Sequence, residues 1–279
     1  MQLSILIRNL NEAAHLEQTL IALKKQQTTF EYEVVLIDNE SEDNSIDIAT
    51  RMGCKVFTLK RNEFTFGRSL NYGISKCNGE IILILSSHLI LLNEFFLNNI
   101  PQYFTNKHVA ALRFVHAVSP ELVVESVQNG PKELKYNYSA AFSLSNWQNL
   151  IVNHCAAVRK SCCEELPFNE EMFASEDKIW SLDVLKKGYS ILYNVPGFYV
   201  YTKPFDRTKK INREVIERAA KEMITGKKDP LFSAPYFISF VKKIQSNFKR
   251  MSHDLKIHAK VYKGVKAYKK KYPALKKEF

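Results

Sequence analysis

Short apolar runs alternate with amphipathic stretches through the N-terminal third of the chain. Leu3-Ser4-Ile5-Leu6-Ile7 is apolar enough for a buried strand, and Glu12 to Gln26 carries Leu16, Leu20 and Leu23 at helical spacing. The unit then repeats. Glu33 to Ile37 predicts a second strand, Ser41 and Asn44 offer caps for a helix through Ala49 and Met52, and Gly53 closes it. Lys55 to Leu59 predicts a third strand, Gly67 to Cys77 a third helix, and Glu80 to Leu85 a fourth, strongly apolar strand. Strands that are apolar throughout and alternate with helices belong to a parallel sheet joined by right-handed crossovers. Ligands of such sheets bind outside the carboxyl ends of the strands.

Further on, Asn93 to Tyr103 predicts a helix and Val109 to Val115 a strand. Residues 116–150 lose clear periodicity and are rich in Asn, Ser, Gln and aromatics, Trp147 among them; a long irregular insertion of this kind reads as an acceptor-facing segment. Asn153 to Arg159 predicts another strand, which leads through the loop Pro167 to Phe173 to Ser175-Glu176-Asp177-Lys178-Ile179-Trp180, two adjacent carboxylates just ahead of a helix that ends at Gly188-Tyr189. Ile191 to Val200 reads as two short strands around Pro196-Gly197. Beyond Pro235, Phe237, Val241, Ile244, Phe248, Met251 and Leu255 recur at steps of three and four with lysines on the other faces, the pattern of a long basic amphipathic helix. Such a helix either packs along its own domain with a solvated lysine face or lies in a membrane interface.

Charge sharpens this division. The net charge is +11, yet residues 1–202 hold 18 Lys and Arg against 22 Asp and Glu, while residues 203–279 hold 22 against 7. All of the basic excess therefore lies in the C-terminal quarter, which points to an anionic surface, lipid headgroups, nucleic acid or a phosphate-bearing substrate as its partner. At 279 residues and 46% hydrophobic, the chain has material for one large core. Its longest apolar stretch is interrupted at Ser86-Ser87-His88 and falls short of a membrane span, and the N-terminus enters a strand pattern directly, so a cytosolic protein is expected. Five cysteines, with no C-x-x-C and no paired histidine spacing, read as reduced thiols and not as a zinc site or disulfide framework.

The runs Ser4 to Glu12, Glu33 to Ser45, Phe66 to Gly73 and Gly79 to Ile82, together with the Glu176-Asp177 block followed by Trp180 and Gly188-Tyr189, resemble a family 2 glycosyltransferase of bacterial polysaccharide type. The likeness covers roughly residues 3–205. It implies an α/β architecture of the GT-A type, a Rossmann-like, mostly parallel sheet flanked by helices over residues 1–205, with a basic, mainly helical extension over 206–279. Asp38 resembles the residue that holds the nucleotide base, although it can also simply cap the next turn. Asp43 matches the second acidic position of that loop. Arg61 and Arg68 stand where a cation meets the base or the phosphates, or remain solvated, and Asn71 orders a loop. Asp177 resembles the general base, and Glu176 orients the acceptor or raises the proton affinity of the base. The bland alternative for the pair is a favourable interaction with a helix N-terminus.

One departure from the family pattern matters. Alignment of Gly79-Glu80 puts Ser86, Ser87 and His88 where the resemblance leads one to expect an Asp-x-Asp metal motif, and two hydroxyls with an imidazole do not form a hard-cation site. The later histidine of that site is also missing at Tyr199 to Lys203. The resemblance then implies an enzyme without a metal cofactor, in which His88, Lys203, Arg207 or Lys209 neutralises the leaving phosphate. The expected function is inverting transfer from a nucleotide-sugar donor to a glycan or lipid-linked glycan acceptor in capsule, lipopolysaccharide or other surface polysaccharide synthesis. The expected setting is cytoplasmic, peripheral at the inner face of the membrane, with the C-terminal helix on an anionic membrane surface and no nucleic-acid partner. The alternative is a catalytically inactive GT-A-like module that binds glycan or acts as a scaffold. A sugar-1-phosphate nucleotidyltransferase would need a Gly-rich phosphate loop after the first strand, which Asn9-Leu10-Asn11-Glu12-Ala13 is not.

Overall fold

A computed structural model describes residues 3–135, 147–172 and 174–203, with 217, 220, 221 and 224 besides. The chain divides into two units, Met1–Met172 with Glu176–Pro204, and Phe173–Ser175 with Phe205–Phe279. The expected basic helix and phosphate candidates Arg207 and Lys209 lie outside the described residues.

The first unit runs β1 (Leu3–Asn9), α1 (Ala13–Lys24), β2 (Tyr32–Asp38), α2 (Ser45–Arg51), β3 (Lys55–Thr58), α3 (Phe66–Lys76), β4 (Ile81–Ser86), β5 (Leu89–Leu91), β6 (Val109–His116), α4 (Pro120–Asn129), β7 (Lys132–Leu134), β8 (Cys155–Arg159), α5 (Lys160–Glu165), α6 (Glu176–Lys186) and β9 (Ser190–Tyr201). They form one sheet in the order β3-β2-β1-β4-β8-β6-β9-β5, with β7 on β9. Strands β3-β2-β1-β4 pair in parallel as expected, and β6 also runs parallel to β9. Beyond β4 the sheet is mixed, because β8 runs antiparallel to both β4 and β6, and β5 and β7 run antiparallel to β9. The reversal serves the site: β8 begins at the carboxyl end of β4, where the Ser86 N–H donates to the His154 carbonyl at 2.9 Å.

One face of the sheet presents Leu3, Ile5, Ile7, Leu83, Leu112 and Phe114 to a continuous apolar cluster completed by Leu16, Leu20 and Leu23 of α1. Each side chain so buried contributes roughly 1.5–3 kcal/mol. On the opposite face α3 packs so closely that a Cβ on Gly73 would stand 2.4 Å from Leu6 Cδ1.

Four expectations need correction. Asn93 to Tyr103 forms turns and a 3₁₀ helix, Pro101–Phe104, because Pro101 has no N–H to give a helix running through it and the Asn93 side chain accepts from the Phe95 N–H at 2.7 Å. Within 116–150, Ser119 caps α4 by accepting from the Leu122 N–H at 3.3 Å, Pro120 occupies its first turn, and β7 follows. The strand before the carboxylates is followed by α5 before its loop. Pro196-Gly197 does not break β9 into two strands, since β6 shifts register beside it and so needs no N–H from the proline.

Among the described residues no helix is long and apolar enough to cross a membrane. All five cysteines are free thiols, and burial pushes those of Cys155 and Cys163 well up.

Candidate active site

The ends of β1 and β2 lie side by side, with Asn9 opposite Asp38. Asp38 is wholly buried. Its Oδ1 accepts from Asn9 Nδ2 at 3.0 Å and Ser41 Oγ at 2.6 Å, and its Oδ2 accepts from the Ser41 N–H at 2.7 Å. The structure thus gives Asp38 the turn-capping work that was its alternative reading. Asn9, not singled out in the sequence, leaves its buried Oδ1 without a partner beside that carboxylate. Asp43 accepts from the Ala13 N–H at 2.9 Å, at the start of α1, and from the Ser45 N–H at 3.0 Å. Burial raises its pKa, but these bonds outweigh burial and hold it below the usual carboxylate range. Arg61 clasps the same loop: its guanidinium donates to the Asn39 and Glu40 carbonyls and pairs with Glu42 at 2.8 Å.

A second set of contacts fixes the loop that leads to the carboxylates. Asn71 on α3 donates to the Phe168 carbonyl and accepts from its N–H, both at 2.9 Å, and also donates to Glu170. Arg68, one turn earlier, pairs with Glu170 at 2.9 Å. The Asn71 bond, helped by Arg68 and opposed by burial, holds Glu170 below the ordinary range. Gly67 lets the two segments meet, since a Cβ there would fall 2.0 Å from the Asn169 carbonyl oxygen.

Glu176 and Asp177 open α6 after Ser175, whose φ is 63°. An acid that merely complements a helix dipole can stay in water; these two are 1% and 7% exposed. Buried carboxylates demand partners, and Asn153 supplies one to each. Its N–H donates to Asp177 Oδ2 at 3.0 Å and its side-chain amide donates to Glu176 Oε1. Burial and the neighbouring Asp177 push Glu176 up to about 7, while Arg8 pulls the other way. Arg8, whose guanidinium lies 5.4 Å from the centre of the Phe66 ring, feels both acids, and Arg113 feels Asp177. Beneath the pair, the Trp180 indole N–H donates to the Leu166 carbonyl at 2.7 Å and its ring stacks on Phe168, which ties the helix to the clamped loop.

At the end of β4, Ser87 is buried and its carbonyl accepts from Thr19 Oγ1 at 3.1 Å, while the His88 ring stacks on Tyr201 with 5.7 Å between centres. His116 stacks on Tyr199, and His154 hydrogen-bonds the Tyr199 hydroxyl at 2.8 Å. Lys203, expected to face the leaving phosphate, pairs with Glu12. The donors at 86–88 do not fit a hard divalent cation, for they bring no carboxylate. Among the described residues no group of three or more His, Cys, Asp or Glu is placed to hold a metal ion. Of the expected residues, the structure joins Glu176 and Asp177 in one cluster and Asp38, Asp43 and Arg61 in another. Arg68 and Asn71 hold the loop between α5 and α6. Sequence reading missed Asn9, Asn153, Arg8, Arg113 and Glu170.

Comparison with known proteins bears on the fold and the family. The chain is 24% identical over 208 residues to the O-antigen chain rhamnosyltransferase RfbN of Salmonella typhimurium, covering 69% of this chain and 64% of that protein. It is 24% identical over 176 residues to the rhamnosyltransferase WbaN of Salmonella anatum, covering 61% and 56%. It therefore spans under two thirds of the length of either relative. Among solved structures, the mannosyltransferase PcManGT of Pyrobaculum calidifontis, in complex with GDP-Man and Mn2+, matches 98% of this chain and 80% of its own, with a TM-score of 0.61 at 18% identity. Residues 1–349 of S. aureus TarS in complex with UDP-GlcNAc match 95% of this chain and 82% of their own, with a TM-score of 0.61 at 16% identity. The fold is that of the GT-A glycosyltransferases, and since the profile of glycosyl transferase family 2 matches residues 4–166, the chain belongs to that family.

Proposed function

We propose that this chain transfers a sugar, with inversion, from a nucleotide-sugar donor to a hydroxyl of a carbohydrate or lipid-linked glycan in surface polysaccharide synthesis. The observation that carries this reading is the buried Glu176-Asp177 pair at the start of α6, held by Asn153 and faced by two arginines. In this reading Asp177 takes the acceptor hydroxyl's proton as that oxygen bonds to the anomeric carbon, and the bond from that carbon to the nucleotide's phosphate oxygen breaks on the opposite face. Glu176, held at about 7 and so only part-ionised at neutral pH, orients the acceptor without adding a second full charge. Asn9 Oδ1, buried and unpartnered beside Asp38, offers an acceptor to a base N–H. The serines and histidine at 86–88 support departure of the phosphate onto protein donors and not onto a metal. The names of the two Salmonella relatives make nucleotide-linked rhamnose the first donor to try, and the basic excess of residues 203–279 favours work at the cytoplasmic face of an anionic membrane.

A second reading, a glycan-binding module without activity, is favoured by the absence of carboxylates at 86–88. Screening nucleotide-sugars for release of free nucleotide separates the two. Turnover of at least one donor that is lost in Asp177→Asn supports the enzyme; equal background in both proteins supports the binding module.

A further inference from the structure

Arg113 is the least explained charged residue in the molecule. It lies within β6, inside the sheet between β8 and β9, opposite Ala156. Its neighbours Leu112 and Phe114 point into the apolar cluster, so Arg113 emerges on the other face, as Arg8 does on β1 after Ile5 and Ile7. Three strand spacings, about 14 Å, separate the two strands that carry them. Its Nε is buried and unpartnered, and among the described residues its guanidinium makes no hydrogen bond or ion pair. A guanidinium in that position is expensive unless an anion meets it. Burial holds the Arg113 pKa below its ordinary value, opposed by the Tyr199 phenol, itself uncharged at neutral pH, and by Asp177. With Glu176 held at about 7, and so only part-ionised at neutral pH, the pair carries less than two full negative charges against the two arginines, and among the described residues no partner takes up the Arg113 fork.

We propose that Arg113 is a specificity-determining residue whose guanidinium binds an anionic group of the acceptor, a carboxylate or a phosphate, close to the hydroxyl that becomes glycosylated. The assignment to the acceptor rests on Asp177 as the base. In an inverting displacement the base and the acceptor hydroxyl share one face of the donor sugar and the departing phosphate occupies the other. Arg113 pairs with Ala156 on β8, three residues after the Asn153 that holds both acids, and this register puts its cation on the acceptor's side. Arginine suits the task because its planar fork meets carboxylate and phosphate alike in two parallel hydrogen bonds.

The test uses the full chain labelled with ¹⁵N-arginine and needs no turnover, so its outcome is independent of whether Asp177→Asn abolishes transfer. The Nε–H signal of Arg113 is assigned by its loss in R113K and, should that variant fold poorly, in R113Q. Inorganic phosphate and acetate are titrated separately at constant ionic strength. The signal should move saturably with at least one of them, phosphate alone indicating a phosphorylated acceptor and acetate as well indicating that a carboxylate suffices. Asp177→Asn should tighten the response on the order of tenfold, as loss of a nearby unit charge requires. A signal that ignores both anions overturns the proposal. So does one whose anion is displaced by a nucleoside diphosphate, for that would place Arg113 at the leaving group.

Discussion

Replacing Glu176 by glutamine should make the protein more stable at alkaline pH. The folded protein holds this carboxyl at about 7 against an ordinary value of 4.5, through burial and the adjacent Asp177. Below pH 4.5 the group is protonated in both the folded and the unfolded chain and contributes nothing. Between 4.5 and 7 the unfolded chain releases the proton while the folded chain keeps it, so stability falls as pH rises, and the full penalty, on the order of 3 kcal/mol, is reached above pH 7. From pH 5.5 to 8.5 the fall attributable to Glu176 is about 2 kcal/mol by the same relation. Urea unfolding of the wild type and E176Q at these two pH values isolates it, because the other titrating groups are common to both proteins. The gap between them should move by about 2 kcal/mol in favour of E176Q at the higher pH. A gap that does not change with pH would refute the reasoning and return Glu176 to the status of an ordinary first-turn acid. A carboxyl that weakens its own fold is what a site residue looks like when stability has been given up for function.

Other outcomes follow from the same geometry. Gly67→Ala should displace residues 168–170 and break the Asn71 and Arg68 clamp, with a loss of about 1–3 kcal/mol in urea unfolding; a neutral result would mean that the loop yields freely. Asp38→Asn should weaken binding of the free nucleotide in calorimetry, and unchanged affinity would leave Asp38 as a turn cap alone. Transfer should survive excess EDTA; complete loss, restored by manganese or magnesium, would show that carboxylates beyond residues 86–88 build a metal site.

The parallel half of the sheet was legible because β1, β2 and β4 are covered on both faces and so read as unbroken apolar runs. α4 was not, since Val124 and Val127 lie exposed and leave only a weak stripe. The direction of β8 could not be read from composition either, although it decides which residues meet Asp177. Asp38, Asp43, Asn71, Glu176 and Asp177 stood out through local motifs. Asn153, by contrast, is 24 residues from Asp177 and Arg113 is farther still, so only the sheet order brings them together. The protein partners of isolated cations could not be read locally: the fold ties Arg61 to residues 39–42 and Lys203 to Glu12.

The central claim is that Asp177 performs the proton transfer in sugar transfer. With a donor identified by nucleotide release, the direct measurement is the turnover rate of Asp177→Asn beside the wild type, together with donor affinity by calorimetry. Turnover should fall by roughly 10²–10⁴-fold while donor affinity stays within a small factor, because a general base acts on the acceptor proton and not on the bound nucleotide. Near-normal turnover in Asp177→Asn would contradict the account.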